Sequence, residues 1–289
     1  MAFCGRGKWL IPSSKKGVIV MTAHTKRVIT TFVGIPFLFA VIHFVPPWGF
    51  TLVTFFVALV SLNEFYAMMR SEASKKVMCI NYALTAILFC ALLGKGVLFA
   101  PLVPFFVIAP LTFFLFSSQK SSFTIGEVGQ IIVGPLYICF PLALLAIIAR
   151  LPQGEMWVFF ILATIFAGDI GSFYVGRLFG KHKLTRISPG KTWEGAVGGL
   201  LANLVSAGSF ALLFFPSLSL ITIVVLALGL GAIGQVGDLA ESMLKRLSHI
   251  KDSGRALPGH GGMLDRIDSF LFAIPVFYLY LSSQGLLGL

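Results

Sequence analysis

The sequence predicts an all-α, polytopic integral membrane protein of about nine transmembrane helices with a cytoplasmic N-terminus. Three observations carry this reading. Of 289 residues, 57% are hydrophobic and only 11% charged, with a mean hydropathy of +0.93, beyond the apolar share of an ordinary water-soluble domain. The apolar residues gather in repeated runs of about 18 to 22, long enough as helices to cross ~30 Å of hydrocarbon. The 22 Lys and Arg side chains then divide very unevenly among the loops that such helices leave.

Taken in order, the first span, 28–45, follows the basic flank Lys26-Arg27, and the second, 50–69, runs into Arg70. The third, 77–93, starts behind Lys75-Lys76, the fourth, 97–116, stops short of Lys120, and the fifth, 131–149, ends at Arg150. The sixth, 155–177, closes on Arg177; the seventh, 195–215, follows Lys181, Lys183, Arg186 and Lys191. The eighth, 220–238, leads into Lys245, Arg246, Lys251 and Arg255, and the ninth, 268–287, begins behind Arg266. Eight spans is the alternative if one Pro-containing pair is re-entrant. With the N-terminus inside, twenty of the 22 basic residues fall on the cytoplasmic side, Arg6, Lys8, Lys15 and Lys16 among them, and only Lys95 and Arg150 fall outside. Basic residues near span ends stay cytoplasmic, and a miscounted span would swap every later loop, so the split supports nine.

The net charge of +11 is accounted for by these positive-inside loops, which also favour anionic headgroups, and nucleic-acid binding is not expected. Residues 1–27 read as a basic cytoplasmic tail without an h-region long enough for a signal peptide. Met21 is an alternative start, because MTAHTKR before an apolar run is already a complete basic flank. Cys4, Cys79, Cys90 and Cys139 have neither metal nor redox spacing, so no disulfide and no zinc are expected. The stretch 28–150 reads as a five-span scaffold whose acids are Glu64, Glu72 and Glu127, with Glu64 expected to pair at the membrane interface. The stretch 151–289 reads as the catalytic region, with basic cytoplasmic loops at 178–194 and 239–267. A short chain of nine spans without a long soluble tail suggests a bacterial plasma membrane.

All five aspartates lie in the last 121 residues. Asp169 falls about two turns inside the cytoplasmic end of the sixth span, a depth at which an ionisable group is costly unless it is paired or lines a wet cavity. Gly168, Gly171 and Gly176 around it permit close helix approach. Asp238 ends the eighth span, and if that helix continues, Glu241, Ser242 and Lys245 share its face. Asp265 and Asp268 are likewise three residues apart at the opening of the ninth. Asp238, Asp265 and Asp268, facing a loop of Lys and Arg, offer hard oxygens to Mg²⁺ and cations to phosphate.

The segment 242–268 is the most informative in the chain, with eight charged side chains and four glycines in 27 residues. Within it, Gly261 and Gly262 would let backbone amides approach an anion just ahead of a helix N-terminus. His260 could donate to a phosphate oxygen, move a proton, or serve only as a structural hydrogen-bonder. In the other basic loop, Gly190-Lys191-Thr192 lacks the glycine a P-loop requires at position 185, which is Thr185, and no strand precedes it. Ser188, Lys191, Thr192 and Glu194 nonetheless bring hydroxyls, a cation and a carboxylate to a helix start, where they suit phosphate binding, helix capping, or both.

These residues resemble a known signature. Ser242-x-Leu244-Lys245-Arg246, four residues, Lys251-Asp252-x-Gly254, two residues, then Leu257-Pro258-x-His260-Gly261-Gly262-Met263-x-Asp265-Arg266-Ile267-Asp268 is similar to the pattern of the phosphatidate cytidylyltransferases, or CDP-diglyceride synthases. The Asp169 segment with its GRLFG, and Ile187-Ser188-Pro189-Gly190-Lys191-Thr192-Trp193-Glu194-Gly195, resemble further family motifs. The resemblance covers about residues 155–289 strongly and the N-terminal spans only by hydropathy. It implies an all-helical, Mg²⁺-dependent, often dimeric membrane enzyme that turns CTP and phosphatidic acid into CDP-diacylglycerol and pyrophosphate. On that reading Asp238, Asp265 and Asp268 bind metal, with Asp169 a ligand or an orienting partner. Lys191, Lys251, Arg255 and Arg266 take the phosphates, although Arg266 would equally pair with a neighbouring acid. Lys245 and Arg246 also suit anchoring at the membrane interface. A transporter of an anionic metabolite and a related prenol kinase or phosphosugar transferase are the competing readings.

Overall fold

In hydrocarbon every backbone N–H and C=O must be satisfied within the protein, and apolar runs of about 20 residues satisfy them as helices. The computed structural model describes residues 23–69, 75–93, 99–117, 124–254, 256 and 261–286. The alternative start at Met21, Cys4 and most of the basic tail lie outside the described residues, as do Lys95 and Lys120. Ten helices are present among the described residues: α1 Ala23–Phe44, α2 Pro47–Met68, α3 Lys75–Leu93, α4 Phe99–Leu102, α5 Phe105–Ser117, α6 Ile125–Ile148, α7 Gly154–Phe179, α8 Trp193–Phe214, α9 Leu220–Leu247 and α10 Leu264–Ser283. An isolated β-bridge joins Lys183 and Thr192.

Each expected span is met by helix, with instructive differences. Helices α2, α6, α7, α8 and α9 are each long and apolar enough to cross a membrane by themselves. The fourth span is broken into α4 and α5 at Val103-Pro104, where proline cannot continue the hydrogen-bond ladder. Helix α6 begins earlier than its apolar run suggests, because Thr124 and Glu127 form a reciprocal capping box ahead of it. Helix α9 runs nine residues past Asp238, to Leu247, and α10 starts at Leu264, so both acid pairs stand inside helices.

Two apolar clusters hold the bundle. One joins Val41, Phe50 and Ile148 to Trp157, Phe160, Phe215 and Phe277, with the Trp157 and Phe215 rings stacked at 3.8 Å. The other joins Leu62, Phe65 and Leu88 of α2 and α3 to Ile138 and Cys139 of α6 and to Leu264 and Leu271 of α10. Both draw on residues before and after position 150, so the scaffold and catalytic stretches share one interior.

Helices α7 and α8 make the closest contact. A Cβ on Gly171 would lie 2.9 Å from the carbonyl oxygen of Gly198, and one on Gly195 would lie 2.8 Å from that of Ser172. The glycines around Asp169 therefore set the spacing of the two helices that frame the site, as small residues do in membrane bundles. Gly171→Val should destabilise the protein by about 2 kcal/mol through forced separation of α7 and α8. A lowered thermal midpoint in detergent checks this; an unchanged midpoint refutes it.

Candidate active site

Continuous helix through Leu247 places Asp238, Glu241, Ser242 and Lys245 on one face of α9, as their spacing suggests. Glu241 is fully buried and forms an ion pair with the Lys245 ammonium, which also donates to Asp265 Oδ1 at 2.8 Å. Only 15% of the Lys245 side chain is exposed, so it is neither an interface anchor nor a free phosphate ligand. It is the shared counter-ion of two carboxylates, and that is what allows both to sit at the bundle end.

Asp265 folds the loop that precedes it. Its carboxylate accepts from the Ser253 N–H at 3.0 Å, from the Gly262 N–H at 2.8 Å and from Lys245. Through these bonds Asp265 anchors the loop to the first turn of α10. The Gly262 amide donates to Asp265. Gly261 has φ +85°, a conformation that favours glycine, and it lets the chain double back over Asp265. Lys251 and Asp252 are exposed on this loop, whereas Arg255 and His260 lie outside the described residues.

Three other carboxylates form the open part of the site. Asp169 stands ten residues before the end of α7, about 15 Å along the helix. Its electrostatic neighbours are Asp238, Lys191 and Arg266. Asp268, one turn into α10, has Asp238, Glu241 and Asp169 as its acidic neighbours. Lys191 reaches from the start of α8 to Asp238 Oδ2 at 2.5 Å, and Asp238 keeps 34% of its side chain exposed, so a ligand can still reach it. Asp169 and Arg266 are exposed as well.

The second basic loop is built as a helix lead-in. Thr192 Oγ1 accepts from the Gly195 N–H at 3.1 Å, capping α8, and the Lys191 N–H donates to the Ser188 carbonyl in a turn. Glu194 reaches back to the His182 ring at 2.6 Å instead of completing a capping box. The Thr192 hydroxyl is therefore a cap, and Lys191 is the residue of this loop that joins the carboxylate cluster.

Residues 25–284 match the family model described as the cytidylyltransferase family. The chain belongs to that family. It is 43% identical over 165 residues to the phosphatidate cytidylyltransferase of Bacillus subtilis, covering 56% of this chain and 61% of the relative. With the Haemophilus influenzae enzyme of the same name it shares 43% identity over 136 residues, 44% of this chain and 46% of the relative. The chain thus spans about half to three-fifths of the length of these named relatives. Over 94% of its own length and 90% of the relative's it is 31% identical to the uncharacterized protein YnbB of Escherichia coli K12.

Membership of the cytidylyltransferase family directs attention to residues that sequence reasoning missed. The Tyr137 hydroxyl of α6 is buried without a hydrogen-bond partner among the described residues, and its charged neighbours are Asp268, Glu241 and Asp238. A tyrosine in an apolar helix carries no signal of this placement. Glu64, expected to pair at the interface, is instead buried beneath the loop. Glu241 and Lys245 are legible as a face of α9, but their burial is not.

Removing Lys245 leaves two buried carboxylates facing each other. Lys245→Ala should cost about 3 kcal/mol of stability, and Glu241→Gln in the same chain should restore part of it. Thermal unfolding in detergent measures both. A stable Lys245→Ala protein without activity would return Lys245 to a ligand-binding role.

Proposed function

We propose that this member of the cytidylyltransferase family transfers CMP from CTP to phosphatidic acid, giving CDP-diacylglycerol and pyrophosphate. The observation that carries the reading is the carboxylate cluster at one end of the bundle, where α7, α9 and α10 contribute acids and the start of α8 contributes Lys191. The excess of Lys and Arg in the loops at that end supports a cytoplasmic position, where a soluble nucleotide and a lipid headgroup both have access. The 43% identity to two phosphatidate cytidylyltransferases supports the choice of substrates. The plasma membrane as location and a homodimer as assembly belong to the same proposal.

The cluster fits a hard divalent cation. Asp169, Asp238, Glu241, Asp265 and Asp268 face Lys191, Lys245 and Arg266, so carboxylates exceed basic side chains by two charges. Among the described residues no three acid, histidine or cysteine side chains converge to enclose a metal. Mg²⁺ typically takes one or two protein carboxylates and fills the rest of its shell with phosphate oxygens and water, which matches such a partial site. Asp238 and Asp268 would hold it, with Asp169 as third neighbour. When bound, it would neutralise triphosphate charge and favour departure of pyrophosphate.

In the reaction an oxygen of the lipid phosphate attacks the α-phosphorus of CTP. The bond from that phosphorus to the bridging oxygen breaks, and pyrophosphate leaves with the electron pair. The lipid phosphate is already anionic, so no strong general base is required. What the reaction requires is that two anions be held in line. Lys191 and Arg266 are positioned for phosphate charge beside the cluster, and on this reading Lys251, exposed on the loop, and Arg255 take phosphate charge as well. On this reading His260 is a donor to phosphate.

The decisive assay uses purified protein in detergent micelles with CTP labelled in the cytosine ring, offered phosphatidate or dolichol, with and without Mg²⁺. A lipid product retaining cytidine, formed only from phosphatidate and only with Mg²⁺, is expected; transfer of phosphate alone sinks the proposal. Asp268→Asn should lower turnover at least about 100-fold, a loss typical of removing a major electrostatic contributor, with the thermal midpoint unchanged. Activity within threefold of wild type would remove Asp268 from the site.

A further inference from the structure

We propose that Glu64 is a positioning residue for the polar loop and the first turn of α10, acting from the half of the chain that carries no part of the signature. Glu64 lies near the end of α2 and is only 7% exposed. Its Oε2 accepts from the Leu264 N–H at 2.9 Å and from the Ser253 hydroxyl at 3.4 Å, across sequence separations of 200 and 189 residues. The loop closes tightly over it: a Cβ on Gly262 would lie 2.5 Å from Oε2, and one on Gly254 would lie 2.5 Å from Cδ. Gly254 and Gly262 of the signature are thus explained by the passage of loop backbone over a carboxylate from α2.

The Leu264 N–H is one of the donors that a helix start leaves without an intrahelical partner. Helix α10 has no side-chain cap at Met263, and Glu64 supplies the acceptor there instead. A carboxylate at this point also complements the positive end of the helix dipole. Both hydrogen bonds run to the loop and the start of α10. They fix the place from which Arg266 follows two residues later and Asp268 four. Ser253, the other partner, is held through its N–H by Asp265 and through its hydroxyl by Glu64. The loop carrying Lys251 and Asp252 is therefore clamped from two sides by acids that do not themselves line the open cluster. A carboxyl group buried this far is costly to take out of water, and an apolar side chain of equal size would pack at no such cost. What the apolar side chain could not supply is the acceptor for Leu264 and Ser253.

The catalytic consequence rests on the cytidylyltransferase reading, while the structural consequence does not. Three variants separate position from charge. Glu64→Asp keeps the charge but draws the carboxylate back by one methylene, Glu64→Ala removes the acceptor, and Glu64→Gln retains an oxygen at the same reach. Hydrogen exchange of the substrate-free protein should show amides of 252–264 exchanging about tenfold faster in Glu64→Asp and Glu64→Ala, with those of 270–281 unchanged. In the CTP and phosphatidate assay the same two variants should raise the KM for CTP about tenfold and leave that for phosphatidate within threefold. Glu64→Gln should behave as wild type in both. Wild-type exchange of the loop in Glu64→Asp overturns the proposal, and so does a Glu64→Gln protein as impaired as Glu64→Asp. If the wild type makes no CDP-lipid while the exchange pattern is as expected, the activity assignment fails and the role of Glu64 stands.

Discussion

Carboxylates at the end of an apolar bundle must be given partners, and the arrangement of this site follows from how each is given one. Taking an ion out of water costs several kcal/mol even after relaxation, and an unpaired acid at membrane depth is tolerated only beside a cavity or a cation. Glu241 and Asp265 share Lys245, Asp238 takes Lys191, and Glu64 takes backbone and hydroxyl donors of the loop. These pairings link α9 to α10, α8 to α9, and α2 to α10. The apolar clusters bring the helices together, but they are non-directional, and the paired acids fix which residues face which around the cluster.

A consequence is that the signature contains two kinds of acid that look alike in sequence. Asp265 and Asp268 are three residues apart on one helix, yet Asp265 is turned toward the loop and filled by three donors, while Asp268 faces Asp238 and Asp169. The difference lies in what stands opposite. Lys245 and the doubled-back chain at Gly261 are opposite Asp265; Asp169 of α7 and Asp238 of α9 are the neighbours of Asp268. Spacing puts two carboxylates on a helix face, but only packing decides what each of them faces.

The helical class and the positions of the long apolar helices were legible in the sequence because hydropathy acts locally and is read residue by residue. The glycine contact of α7 with α8 and the shared face of α9 were legible too, since both depend only on helical spacing. The break at Pro104 was written in the sequence but outweighed by the apolar run around it. Glu64 and Tyr137 were not legible. Each joins the site through contacts across long sequence separations, and each sits in a run that reads as membrane filler. Likewise, nothing in the order of residues distinguishes a lysine buried between two acids, such as Lys245, from one lying at a headgroup.

The proposed activity gives the remaining charge imbalance a role. A cluster in which five acids face three bases repels a bare triphosphate, and repulsion is stronger at a bundle end, where the effective dielectric is lower than in water. A triphosphate already carrying a divalent cation brings the charge that the cluster lacks. The same residues would therefore oppose free CTP and favour its metal complex, without any recognition of the base. Because Lys191 is already paired with Asp238, arrival of a cation at Asp238 would weaken that pair and make the ammonium available to phosphate. On this account the ion pair between Lys191 and Asp238 is a resting arrangement, one that binding of the nucleotide with a divalent cation would loosen.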